Sequence, residues 1–272
     1  KDDPKNPHIS PTSTKVSIIL RNDRILFENR SKNIISLGRA LSCLRSDMRA
    51  QITYAKKDLD LEYVRIRDIF SDDLFVYYED SSKTPIISWR SIDEILDFLI
   101  SEDLKPFIEL GYMPRQLASR KQFAGWQYHP NVSYPKSLKL WEQLVSSFIS
   151  HLLSRYGRSE VEEWLFDFWT SPNLPIENGY WNESMENFFR FYKITYDAVR
   201  RSDAELKFGS PNFSYPGGLS WYRSFFKYAG EHNISPDFIS IHLYGCDDGL
   251  FAEHSSFMKF SVFDNNFTLP NL

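Results

Sequence analysis

Two cysteines in 272 residues, Cys43 and Cys246, are too few and too far apart for a disulfide framework or a thiolate zinc site, so two buried free thiols are expected. No apolar run approaches the roughly 20 residues that span a bilayer, which excludes a membrane-spanning helix. Nor is there an excess of cations. Lys and Arg number 32 against 36 Asp and Glu, for a net charge of −4, which leaves no broad basic surface to neutralise a phosphate backbone. No Gly-x-Gly-x-x-Gly turn or phosphate-binding loop is found, which counts against a nucleotide-binding sheet, and no cofactor or metal is expected. The chain opens on Lys1, without the charged, apolar and small-residue order of a signal peptide, which predicts a soluble cytoplasmic protein. Its first stretch, Lys1 to Thr14, is polar with three prolines and reads as a linker in a piece of a longer polypeptide.

What is present is apolar and aromatic mass. Hydrophobic residues make up 42% and aromatics 16%, enough for one large core and for flat rings on which a sugar could stack. Lys15 to Leu20 and Arg24 to Phe27 flank Asn22-Asp23 as a hairpin. Strand-like and helix-like segments then alternate. The strands are Asn33 to Leu37, Glu62 to Ile69, Pro106 to Leu110, Glu163 to Trp169, Leu206 to Gly209 and Phe238 to Leu243. Between them lie helices Arg39 to Asp58, Ser91 to Ile100, Lys136 to Tyr156, Ser184 to Arg201 and Gly218 to His232. Strands separated by helices pair in parallel through right-handed crossovers, and repeated units close into a barrel or form an open doubly wound sheet, which the missing phosphate-binding loop disfavours. The reading is an α/β fold, a TIM (β/α)8-type barrel that stops after its sixth strand and carries a short N-terminal β-hairpin.

Function in such barrels gathers at the C-terminal strand ends. Three of these ends are distinctive: Tyr63-Val-Arg-Ile-Arg-Asp68, Lys105-Pro-Phe-Ile-Glu-Leu-Gly-Tyr-Met-Pro114 and Trp164-Leu-Phe-Asp-Phe-Trp-Thr-Ser-Pro-Asn-Leu174. Together they resemble family 39 of the glycoside hydrolases, which includes β-xylosidases and α-L-iduronidase. The chain thus reads as a linker (1–14), a hairpin extension (15–32) and a glycosidase-like barrel (33–272) whose last strands are missing; the resemblance runs from about Ile34 to Tyr244. It also implies retaining chemistry, which needs two carboxyl groups roughly 5 Å apart.

In the family, the acid/base is the Glu of a Trp-Asn-Glu-Pro-Asn-Leu motif on the fourth barrel strand. Here the motif reads Trp169-Thr170-Ser171-Pro172-Asn173-Leu174, with Ser171 in the place of that Glu and Thr170 in the place of a sugar-binding Asn. A hydroxyl does not titrate between pH 4 and 8, and loss of a general acid costs roughly 10²–10⁴-fold in rate. The family's Arg-Phe-His-Gly becomes Arg65-Ile66-Arg67-Asp68, so Arg67 replaces a sugar-reaching His. No segment matches the family's nucleophile strand, and Glu177, Glu183 and Glu253 fit no motif.

These departures resemble the barrel domain of certain bacterial AraC-type transcription regulators, which implies a non-catalytic, sugar-sensing domain that is no enzyme. Its partners would then be a saccharide, pentose-containing or acidic, and DNA only through a domain outside this chain, with a homodimer left open. An active β-xylosidase-like hydrolase with an atypical acid and a structural or dimerisation module are the alternatives. The expected ligand contacts are Arg67, Glu109, Trp126, Thr170, Ser171, Asn173, Trp181, His242 and Tyr244. For several of them a structural role competes. Glu109 could pair with Arg65, Pro172-Asn173 could shape a turn, His242 could be a satisfied core residue, and Trp126 and Trp181 could pack under their loops.

Overall fold

The computed structural model describes residues 34–124, 129–174, 180–214 and 218–242. The linker and hairpin expected at residues 1–32 and the strand-like run at Phe257 to Phe263 lie outside the described residues.

The main sheet has six parallel strands: β1 (Ile34–Arg39), β2 (Tyr63–Arg67), β5 (Lys105–Leu110), β6 (Leu165–Thr170), β7 (Lys207–Ser214) and β8 (Ile241–His242). Every strand pairs with its successor in the order β1-β2-β5-β6-β7-β8. An open doubly wound sheet reverses its order at a switch point, whereas an order without reversal is that of a sheet curling into a barrel. The crossovers are α1 (Ser46–Leu59), α2 (Arg90–Ser101), α3 (Leu138–Tyr156) with the short α4 (Arg158–Val161), α5 (Met185–Ser202) and α6 (Gly218–Glu231).

Local chemistry sets the boundaries. Ser137 and Ser184 accept the Leu140 and Asn187 N–H groups at the starts of α3 and α5, as N-caps do. The predicted helix from Arg39 is shorter than expected. A 3-10 turn covers Ala40–Leu44, and α1 begins only at Ser46. An antiparallel pair, β3 (Tyr77–Glu79) with β4 (Pro85–Ile87), was not foreseen between β2 and α2. β7 runs on through Pro211 to Ser214, past the expected end at Gly209. Pro211 sits opposite Phe168 where the β6/β7 register shifts, and an irregular register tolerates a residue without an N–H.

Both faces of the sheet are covered. Phe168 packs against Phe188, Phe191 and Tyr192 of α5, while Phe107 on the opposite face meets the Phe238 ring edge-on at 5.6 Å. Gly209 makes room for that Phe238, since a Cβ there would lie 2.3 Å from its ring.

Candidate functional site at the strand ends

Strict alternation along β2, β5 and β6 puts Arg65, Glu109 and Asp167 on the same interior face. Arg65 Nη2 lies 2.5 Å from Glu109 Oε2 and 3.1 Å from Asp167 Oδ2, and both carboxylates are fully buried. Ser240 Oγ donates to Asp167 Oδ2 at 2.9 Å. Burial pushes Asp167 above the usual carboxylate range, with the Arg65 cation pulling the other way. The structural partner expected for Glu109 is therefore present, and Asp167 joins it.

Alternation alone would turn Thr170 toward the helices. Register shifts flank Phe168, and Trp169 takes a left-handed backbone with φ of 58°. Trp169 joins Phe168 in the aromatic layer against Phe191, and Thr170 instead donates its hydroxyl to Glu109 Oε2. Bulges re-aim side chains in this way. Ser171 is also left-handed, with φ of 46°, and its N–H donates to Asn212 O at 2.7 Å. Its Oγ lies 2.6 Å from Ser214 Oγ and 3.0 Å from His242 Nδ1, and Asn212 Nδ2 lies 3.2 Å from His242 Nε2. A neutral imidazole protonated on Nδ1 fits both contacts, accepting from Asn212 and donating to Ser171. Burial, then Arg65 and Arg67, lower the His242 pKa to about 4, so the ring is neutral at pH 7.

At the end of β2, Arg67 is half-buried, and its charge acts on Asp68, Tyr112 and His242. Asp68, only 1% exposed, is left-handed at φ of 63° and accepts from Arg39 Nε at 3.2 Å. Tyr112 stacks on Tyr180 at 5.1 Å. Five buried polar atoms on this face, Asp68 Oδ1, Glu109 Oε1, Tyr112 Oη, Asp167 Oδ1 and Asn212 Oδ1, make no hydrogen bond among the described residues. Each such atom costs roughly 1–3 kcal/mol unless a ligand or water meets it.

Two cavities open near these groups. The larger, about 740 Å³, is lined by Ser36, Arg65, Phe107, Asn212, Ser240 and His242 among others and runs along the sheet interior. The smaller, about 120 Å³, lies at the rim among Arg39, Asp73, Tyr112 and Arg115. No group of three or more His, Cys, Asp or Glu able to hold a metal occurs among the described residues. None of the described helices is long and apolar enough to cross a membrane.

Arg67, Glu109, Thr170, Ser171 and His242 are thus gathered on one rim. Two other expected contacts are engaged with the protein itself. Trp181 is no exposed platform: it is 3% exposed, stacks on Phe191, packs edge-on against Trp169 and donates its Nε1–H to Ser184 O. Asn173 uses its amide on backbone, donating to Ser214 O at 2.7 Å and accepting from Ser214 N at 2.8 Å, so it clamps the ends of β6 and β7 together. Trp126, Tyr244 and Cys246 lie outside the described residues, while Cys43 is a buried free thiol pushed up to about 12 by burial. Asp68, Asn212 and Ser214 were not foreseen. The available signal was Asp68 standing where the resemblance has a glycine.

Comparison with known proteins gives this site its context. The chain is 36% identical over 208 residues to a β-xylosidase of Caldicellulosiruptor saccharolyticus, covering 76% of this chain and 41% of that protein. It is 31% identical over 234 residues to a β-xylosidase of Geobacillus stearothermophilus, covering 85% of this chain and 45% of that protein. A GH39 β-xylosidase structure from Caulobacter crescentus superposes with a TM-score of 0.78 at 28% identity, covering 88% of this chain and 51% of that one. The chain therefore spans less than half the length of the two curated relatives. These matches overturn the expectation of a domain that is no enzyme. The proteins it aligns with are β-xylosidases, and Ser171 is one departure within a long match, which does not by itself mark the chain as inactive. Nothing in them indicates the sugar-sensing part of an AraC-type regulator. The model of the glycosyl hydrolases of family 39 matches residues 14–264, nearly the whole barrel, and to that family the chain belongs.

Proposed function

We propose that the protein carrying this chain is a glycoside hydrolase that binds xyloside-type saccharides at the rim where β2, β5, β6, β7 and β8 end. The observation that carries the reading is the set of five buried polar atoms without a partner among the described residues, on a strand-end face of a chain that is similar to β-xylosidases. Sugars present dense hydroxyl groups, which can meet both donors and acceptors, and a ligand seated there would repay the cost of leaving such atoms bare.

The Arg65 triad holds Glu109 in place, leaving Oε1 for a sugar hydroxyl. Thr170, Ser171 and neutral His242 add hydrogen-bonding groups that carry no charge at pH 7. Ser171 has no proton to give in this pH range, so the leaving oxygen must be protonated by another group.

The test is to incubate the full-length polypeptide with dinitrophenyl and nitrophenyl β-xylosides and with xylobiose, following the anomeric configuration of the first-formed product by NMR. Turnover above a buffer blank, with retention, is expected. Absence of turnover on all three would sink the proposal.

A further inference from the structure

Two strand ends depart from the family pattern in opposite senses. At the end of β6, Ser171 stands where the resemblance has a carboxylic acid; just past β2, Asp68 stands where it has a glycine. A carboxyl group is lost from one point of the rim and gained at another. The gain is not a casual surface change. Asp68 takes a left-handed backbone, φ 63°, that suits glycine and that aspartate tolerates better than most residues, and it is 1% exposed. Oδ2 meets Arg39, but Oδ1 has no hydrogen-bond partner among the described residues. A side chain serving only to pair with an arginine would be expected to use both oxygens.

We propose that Asp68 is the proton donor of this glycosidase, delivering its proton to the leaving oxygen in the role that Ser171 cannot perform. This inference rests on the glycosidase reading above. Arg39 and Tyr112, the neighbours of Asp68 from β1 and from the segment after β5, both line the rim cavity of about 120 Å³.

The step balances as follows. A second carboxylate adds to the anomeric carbon while the bond from that carbon to the leaving oxygen breaks. The Asp68 proton passes to that oxygen, giving a neutral alcohol and aspartate. Water then adds to the anomeric carbon, its proton returns to Asp68, and the second carboxylate departs.

The charged and titratable groups facing Asp68 set its protonation. Burial raises its pKa to about 7; Arg67 and Arg39 lower it, Glu109 raises it, and Tyr112 lies close by. The carboxyl can therefore hold a proton near neutral pH, as a general acid must.

The experiment measures kcat/KM of the full-length polypeptide, wild type against Asp68→Asn and Asp68→Gly, on β-xylosides of graded leaving-group acidity: dinitrophenyl, nitrophenyl and xylobiose. The glycine variant suits the left-handed backbone, so it stays folded even if the asparagine variant does not. Both variants are expected to lose about 10²–10⁴-fold on xylobiose and less than about tenfold on the dinitrophenyl substrate, whose leaving group needs no acid. The fall in wild-type activity above neutral pH should disappear with them, and Asp68→Glu should restore part of the xylobiose activity. Equal losses on all substrates, or none, overturn the role of Asp68 while leaving the glycosidase reading intact. A wild type that cleaves none of the substrates overturns both.

Discussion

Replacing Arg65 by Met would leave two fully buried carboxylates, Glu109 and Asp167, without the guanidinium that now lies within 3.1 Å of both. Removing one partner from a buried ion cluster typically costs about 3–5 kcal/mol, because the remaining charges are neither solvated nor paired. For a domain of this size, each kcal/mol moves the melting temperature by about 2–4 °C, so a fall on the order of 10 °C is expected at pH 8. The sign of the pH dependence follows. Burial raises Asp167 and Arg65 opposes that rise, so without Arg65 Asp167 titrates higher still in the folded chain than in the unfolded one; the folded chain then binds more protons above about pH 4 and stability falls as pH rises. Urea or thermal melts of Arg65→Met at pH 5 and pH 8 should therefore show the larger loss at pH 8. The triple variant Arg65→Met, Glu109→Gln, Asp167→Asn removes all three charges and should recover most of the lost stability. An equal loss at both pH values, or a triple variant no better than the single one, would refute the argument that the triad exists to neutralise buried charge.

His242 and Asp68 should leave opposite marks on the stability profile. Held near pKa 4, His242 stays neutral while the unfolded chain protonates near 6.5, so its contribution is full above about pH 6.5 and is lost as pH falls toward 4; His242→Gln should flatten that decline in chemical denaturation. Asp68, raised to about 7, stabilises most below about pH 4 and loses that contribution as pH rises through 7, and Asp68→Gly should remove the loss. Trp181→Ala should cost about 3–5 kcal/mol in urea melts, as loss of a buried aromatic does, with little change in saccharide affinity. An unchanged melt with a large affinity loss would restore Trp181 as a ligand platform.

The order of strands and helices was legible because a parallel unit alternates two hydrophobic periods, but that alternation suits a barrel or an open doubly wound sheet, and the strand order without reversal decides for a curling one. The strand-end runs around Glu109 and Thr170 likewise marked the functional face, since barrel geometry places it there whatever the chemistry. The side-chain directions were not legible. Period-two counting sends Trp169 inward and Thr170 outward, and only the register shift against β7 reverses them, because a bulge depends on a partner strand some 40 residues away. The same distance hid the use of Asn173, whose amide is consumed by Ser214, and the aromatic nest that buries Trp181. By itself the sequence determined which residues could do chemistry: Ser171 for a carboxyl, Asp68 for a glycine, Arg65 among acids. The tertiary structure decided which of them meet, because burial, pairing and unsatisfied hydrogen bonds belong to contacts between distant segments and not to any one of them.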